Sequence, residues 1–138
     1  MIDPNVTLES LNAMGKGNMV EHLGIEFTGV SEDSLTAKMP VDHRTKQPMG
    51  LLHGGASVVL AETVGSVASH LCIDTQKQYS VGLDINANHL KAVTEGYVYG
   101  TAKALHIGKR TQVWEIRILN ENQQLVCISR LTMAVVDK

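Results

Sequence analysis

The chain has 138 residues, 43 % of them apolar and 19 % charged, with a formal charge of −2; this is the make-up of one compact domain over 1–138 and excludes a disordered or repeat protein. The slight negative charge, with basic residues no more clustered than the pair Lys109 and Arg110, argues against a nucleic-acid partner. Only two cysteines are present, Cys72 and Cys127, the start Met1-Ile2-Asp3-Pro4 is unlike a secretory signal, and Glu62 breaks the longest apolar stretch; the expectation is a cytoplasmic protein with no disulfide framework and no membrane span.

Residues 7–22 show a loosely helical pattern (Leu8, Leu11, Met14, then Met19 and Val20) interrupted by Gly15 and Gly17, which predicts two short helices. Over 34–41, Leu35, Ala37, Met39 and Val41 alternate with polar residues, the period of a half-buried strand. Residues 24–30 are expected to pair with it as a hairpin, turning at Ser31, Glu32 and Asp33. A polar segment from Asp42 to Pro48 leads to Leu52-His53-Gly54-Gly55, and irregular connections of this length are often functional.

From Ala56 to about Cys72 there is no proline, and Val58, Val59, Leu60, Ala61, Val64, Val67, Ala68 and Leu71 occupy nearly the whole helical circumference. Such a helix is expected to be buried on almost all sides. Four strands should follow, over 79–90, 96–107, 111–119 and 125–136, joined by short turns into an antiparallel meander. The sum is an α+β fold in which a curved antiparallel sheet wraps one long buried helix.

Glu62 then stands out. A carboxylate in an apolar helix either sits on an exposed edge, pairs with a buried base, or is held by dedicated donors or a raised pKa that make it chemically special. Gly54 and Gly55 open the helix, so that unpaired N–H groups and the positive end of the helix dipole can meet a carbonyl oxygen gaining negative charge; equally, two glycines permit a tight turn. Gly54 and Glu62 are eight residues apart, about 12 Å along a helix. One carbonyl cannot touch both. If both act in one reaction, two antiparallel copies of the helix must face each other across a twofold axis, which predicts at least a dimer with its active site at the interface.

Ser66, four residues after Glu62, shares its face; it is either a hydrogen-bonding hydroxyl or a small residue at a close helix crossing. His53 and Gln47 lie just before the glycines, where each can position water or a reacting carbonyl. The six histidines show no paired spacing with a carboxylate or cysteine, so no metal is assigned. No G-x-S-x-G elbow, Walker A loop or G-x-G-x-x-G occurs, which argues against serine hydrolase, P-loop and Rossmann readings.

The run Gln47-Pro48-Met49-Gly50-Leu51-Leu52-His53-Gly54-Gly55, followed by Ala61-Glu62-Thr63, resembles the hotdog-fold thioesterases of the phenylacetate-pathway and 4-hydroxybenzoyl-CoA type. Within that group the chain is most similar to the 1,4-dihydroxy-2-naphthoyl-CoA hydrolases of menaquinone synthesis and to proofreading relatives in siderophore synthesis. The likeness extends to His22-Leu23-Gly24, to Asn86-Ala87-Asn88-His89 and to Gly108 through Trp114.

The resemblance implies an acyl-CoA substrate, with coenzyme A as part of that substrate and no separate cofactor. It also implies Glu62 as nucleophile or general base, the Gly54 N–H as the group polarising the thioester carbonyl, Gln47 and His53 as aligning residues, and Ser66 as a hydroxyl that assists the carboxylate from the partner subunit. A homodimer or a dimer-of-dimers tetramer is the implied assembly. The phosphates of coenzyme A call for basic groups, for which His89, Lys91, His106, Lys109 and Arg110 are the candidates, although solvated charges at strand ends are common; Gly55 is a further candidate for binding the substrate. Two other readings are a non-catalytic acyl-CoA binding module, which would not need Glu62, and a hotdog dehydratase or hydratase, whose His-Phe-Pro or Asp-x-x-x-Pro-x-His loop is absent.

Overall fold

The computed structural model describes residues 1–138. Two short helices come first, α1 (Leu8–Met14) and α2 (Met19–His22). Each is started by a side chain that takes an orphan backbone N–H: Thr7 Oγ1 accepts from Ser10 and Asn18 Oδ1 from Val20. The hairpin follows as β1 (Glu26–Val30) and β2 (Ser34–Pro40), then the long helix α3 (Gly54–His70) and four strands, β3 (Gln78–His89), β4 (Tyr97–Ile107), β5 (Thr111–Leu119) and β6 (Leu125–Asp137).

All six strands join one antiparallel sheet in the order β1-β2-β4-β5-β6-β3. The expected meander therefore holds only for β4, β5 and β6. β3 pairs with β6 and forms the far edge, and residues 90–96 cross back from it to β4 in the interior of the sheet. Local alternation marks a strand but carries no information about its partner, so this crossover had no signature.

α3 lies on the face of the sheet that presents Leu35, Ala37, Met39, Val98, Ala102, Trp114, Ile116, Ile118, Leu131 and Met133, all buried. Burial of each large side chain there contributes about 1.5–3 kcal/mol. Trp114 pairs its ring nitrogen with Gln112 Oε1 at 3.0 Å, so neither buried polar group is left dry. Gly65 is where helix and sheet touch most closely: a Cβ there would stand 2.7 Å from Leu131 Cδ2.

The helix is not buried all round. Ala56, Ser57, Leu60, Ala61, Val64, Gly65, Ala68 and Ser69 are covered, whereas Val58, Val59 and Val67 are half-covered and Glu62 and His70 are exposed. One curved sheet can shield only one side of a helix resting on it, so within the single chain Glu62 meets water rather than an apolar interior. Both cysteines are free, and burial raises both thiols above their ordinary pKa, which leaves them protonated and unreactive near neutrality. No helix is long and apolar enough to cross a membrane.

Candidate active site

The loop from Asp42 to His53 is held from inside by Thr45, which is 1 % exposed. Its hydroxyl donates to the Pro40 carbonyl at 2.7 Å and accepts from the Asp42 N–H at 3.1 Å, while its own carbonyl accepts from the His53 N–H at 2.8 Å. A tight turn follows: Gly50, at φ +80°, donates to the Gln47 carbonyl, and the Gln47 N–H donates to Leu51. The Gln47 side-chain oxygen takes the Met49 N–H. An oxygen so occupied leaves the NH2 of Gln47 as the group it can offer a ligand.

His53 is the N-cap of α3, and its Nδ1 accepts from the Gly55 N–H at 2.7 Å. With Nδ1 used as an acceptor, Nε2 is the ring nitrogen left to face a ligand. The His53 carbonyl takes the N–H groups of Ala56 and Ser57. Of the first turn's donors only the Gly54 N–H makes no hydrogen bond within the chain. The sequence expectation of free N–H groups at both glycines is thus corrected: Gly55 is capped, and Gly54 alone remains, at the positive end of the dipole.

Gly54 opens on a cleft of about 360 Å³ lined by Gln47, Leu51, Leu52, Gly54, Ser57, His89, Leu90, Lys91, Ala92 and Val126. The His89 ring rests on Gly54, where a Cβ would stand 2.8 Å from His89 Nε2. The structure therefore brings Gln47, Gly54, His89 and Lys91 together, with His53 and Gly55 at the rim. Ser57 and the apolar walls were missed by sequence reasoning. Ser57 lies three residues after Gly54 on the same helix, a spacing that could have flagged it. A hollow of about 550 Å³ around Met1, Ile2, Asp3, Pro4, Val6, Val30, Ser31 and Glu32 has no glutamine, histidine or basic side chain in its wall, and it is not the chemical site.

Other candidates lie elsewhere. Glu62 stands at mid-helix, its Oε1 3.1 Å from where a Cβ on Gly82 would be, and makes no hydrogen bond within the chain. Within the chain the Ser66 hydroxyl is directed at Met133 Sδ, 3.8 Å away, and makes no hydrogen bond to its own Glu62. Nor do the five basic candidates ring one entrance within the chain. His106 packs over Gly108, and Lys109 and Arg110 line a separate cleft of about 320 Å³ with Cys72, Ile73 and Gln112, beyond the C-terminal end of α3. Arg110 also pairs with Asp137 at 3.4 Å. The reason is topological, since His89 ends β3 and Lys91 follows it, whereas His106 at the end of β4 and Lys109 and Arg110 in the turn to β5 lie at the opposite end of the sheet.

Residues 49–127 match the sequence profile described as the thioesterase superfamily. Along almost its whole length the chain is 58 % identical to the 1,4-dihydroxy-2-naphthoyl-CoA hydrolase of Escherichia coli, over 94 % of this chain and 95 % of that protein. It is 52 % identical to the proofreading thioesterase EntH of Cronobacter turicensis, over 95 % of each. Two crystal structures superpose closely: a variant of a Pseudomonas aeruginosa thioesterase, at TM-score 0.97 and 52 % identity over 99 % of each chain, and a Haemophilus influenzae thioesterase, at TM-score 0.94 and 49 % identity over 99 % of this chain and 94 % of that one. A free helix-start N–H in a cleft, a curved six-stranded sheet on one long helix and this degree of identity agree, and the chain belongs to the thioesterase superfamily, with its hotdog fold.

Proposed function

We propose that residues 1–138 form one domain that hydrolyses acyl-CoA to free acid and coenzyme A, with an aromatic acyl group such as 1,4-dihydroxy-2-naphthoyl as its substrate in menaquinone synthesis. The observation that carries the reading is the Gly54 N–H, the one donor of the first helical turn left without a partner, in a cleft that also offers the NH2 of Gln47. A thioester carbonyl that becomes tetrahedral gains charge on oxygen, and a preoriented N–H at a helix start stabilises that charge. No metal or separate cofactor is invoked.

The remaining group needed is a nucleophile or base, and Glu62 is about 12 Å along the helix from Gly54. A second copy supplies it if two α3 helices run antiparallel. The sheet's edges support such a pairing. At β1, the Asn12 side chain of α1 takes the place of a neighbouring strand, accepting from the Phe27 N–H at 2.7 Å and donating to the Phe27 carbonyl at 3.2 Å. At β3 nothing comparable covers the edge, and Tyr79, Val81 and Leu83 are exposed. An uncovered apolar edge strand is a template for pairing. A dimer joined at β3, or a tetramer of two such dimers, would place Glu62 of one copy at the cleft of the other and bring the second copy's His106, Lys109 and Arg110 toward the phosphates.

Glu62 then either attacks the carbonyl carbon, expelling the coenzyme A thiolate and leaving an anhydride that water cleaves, or draws a proton from water that attacks directly. Label found in Glu62 after a single turnover in 18O-labelled water identifies the anhydride route with cleavage at the Glu62 carbonyl, since direct attack by water puts the label in the product acid alone. The first test is thiol release from benzoyl-CoA, a hydroxynaphthoyl-CoA and a medium-chain acyl-CoA. We expect turnover by the wild type and a loss of at least about a hundred-fold in Glu62→Gln, the scale of a lost acid–base group. Binding of acyl-CoA without thiol release would instead favour a binding module.

A further inference from the structure

Ser57 is 1 % exposed, yet it lines the cleft that holds Gly54, His89 and Lys91. Its backbone N–H is committed to the His53 carbonyl at 3.2 Å, but its hydroxyl makes no hydrogen bond within the chain. It differs in this from Ser69, whose hydroxyl is likewise unpartnered but fully enclosed. The Ser57 hydroxyl thus keeps its donor free where it meets the cleft, and a ligand lying there can take it.

The shape of the cleft tells which part of a ligand reaches it. Its lining joins the Gly54 N–H, with the His89 ring against it, to the cationic Lys91 and to apolar walls from Leu52, Leu90, Ala92 and Val126. In an acyl-CoA the thioester and the phosphates are separated by the pantetheine arm, an aliphatic chain interrupted by two amides. Apolar walls with one buried hydroxyl match an aliphatic chain with an amide. We infer that Ser57 is a binding residue for the pantetheine arm, its hydroxyl donating to an amide carbonyl there; this rests on the acyl-CoA reading of the cleft.

The absence of any intrachain bond makes the test clean, because Ser57→Ala removes nothing the fold uses and alanine favours a helix. Calorimetric titration of wild type and Ser57→Ala with coenzyme A, and with adenosine 3′,5′-bisphosphate, which carries the nucleotide but no arm, gives the readout. The expected result is a three- to ten-fold weaker Kd for coenzyme A, the range of one neutral hydrogen bond, with unchanged Kd for the bisphosphate and unchanged Tm. Equal weakening for both ligands, or none for coenzyme A, overturns the assignment. A wild type that binds coenzyme A with this pattern yet cleaves no thioester leaves Ser57 in its role and removes the hydrolase reading. Failure of the wild type to bind coenzyme A at all removes the Ser57 assignment, while thiol release from acyl-CoA still decides the hydrolase reading.

Discussion

At the scale of single residues, the site loop is governed by groups that never meet substrate. Arg44 grips Asp42 with its Nη2 2.7 Å from Oδ2 and its Nε 3.1 Å from Oδ1, and its guanidinium also lies against Gly24, where a Cβ would stand 3.0 Å from Nη1. That side-chain hydrogen bond is the main reason the Asp42 carboxyl drops from 3.8 to about 2, against a smaller opposing effect of burial. A carboxylate with a depressed folded-state pKa stabilises the fold above its unfolded value of 3.8, and the stabilisation is lost as pH falls through about 2. Asp42 is about one-third exposed, so solvent screening keeps the gain modest. Replacing Arg44 by Gln returns Asp42 toward its ordinary value. The acid-unfolding midpoint followed by circular dichroism should therefore move to higher pH, with no change in stability between Arg44→Gln and Arg44→Gln/Asp42→Asn below pH 2. Such a cluster was invisible in the sequence, where Asp42, Arg44 and Thr45 read only as members of a polar loop. The motif residues Gln47 and Gly54 were legible because a polar turn followed by glycines ahead of an apolar helix is a local pattern, whereas the roles of Thr45 and Ser57 depend on what the fold lays beside them.

At the scale of elements, β5 was read correctly because one face is wholly covered: Trp114, Ile116 and Ile118 are buried and alternate with partly exposed residues. β3 carries apolar residues on both faces with little cover on either, exposing Tyr79, Val81 and Leu83. Its pattern identifies a strand without stating that the strand is an edge. The same lack of reference to surroundings made α3 look buried all round, since its residues report what they tolerate and a single chain supplies only part of the cover. If β3 pairs with a second β3, charge placed on it should separate the copies, as it does on natural edge strands. Val81→Lys/Leu83→Lys should sediment as a folded monomer with an unaltered far-ultraviolet spectrum and lose nearly all thioester turnover. A double variant that remains a full-activity dimer would move the interface away from this edge.

At the scale of the whole molecule, separation of Gly54 from Glu62 along one rigid helix makes sharing between copies a testable geometric consequence. Two defective proteins can be made, each lacking one half of a site. Glu62→Gln removes the carboxylate. Gly54→Pro removes the N–H with little harm to the helix, because proline suits the first helical position and His53 already has the extended backbone, φ −69° and ψ 129°, that a residue before proline requires. The nearest neighbour of the new Cβ is the His89 side chain, with Nε2 at 2.8 Å, and that flexible side chain must shift. In a mixed dimer one site receives both defects, while the other combines an intact Gly54 from the Glu62→Gln copy with an intact Glu62 from the Gly54→Pro copy. Random reassociation of an equal mixture makes half the dimers mixed and restores one of their two sites, so roughly a quarter of wild-type turnover should return. Were both groups to act within one chain, every site in the mixture would carry a defect and turnover would stay at the level of the parents. Measuring thiol release after co-refolding, against each variant refolded alone, therefore reads the arrangement of the site directly from the arithmetic of its halves.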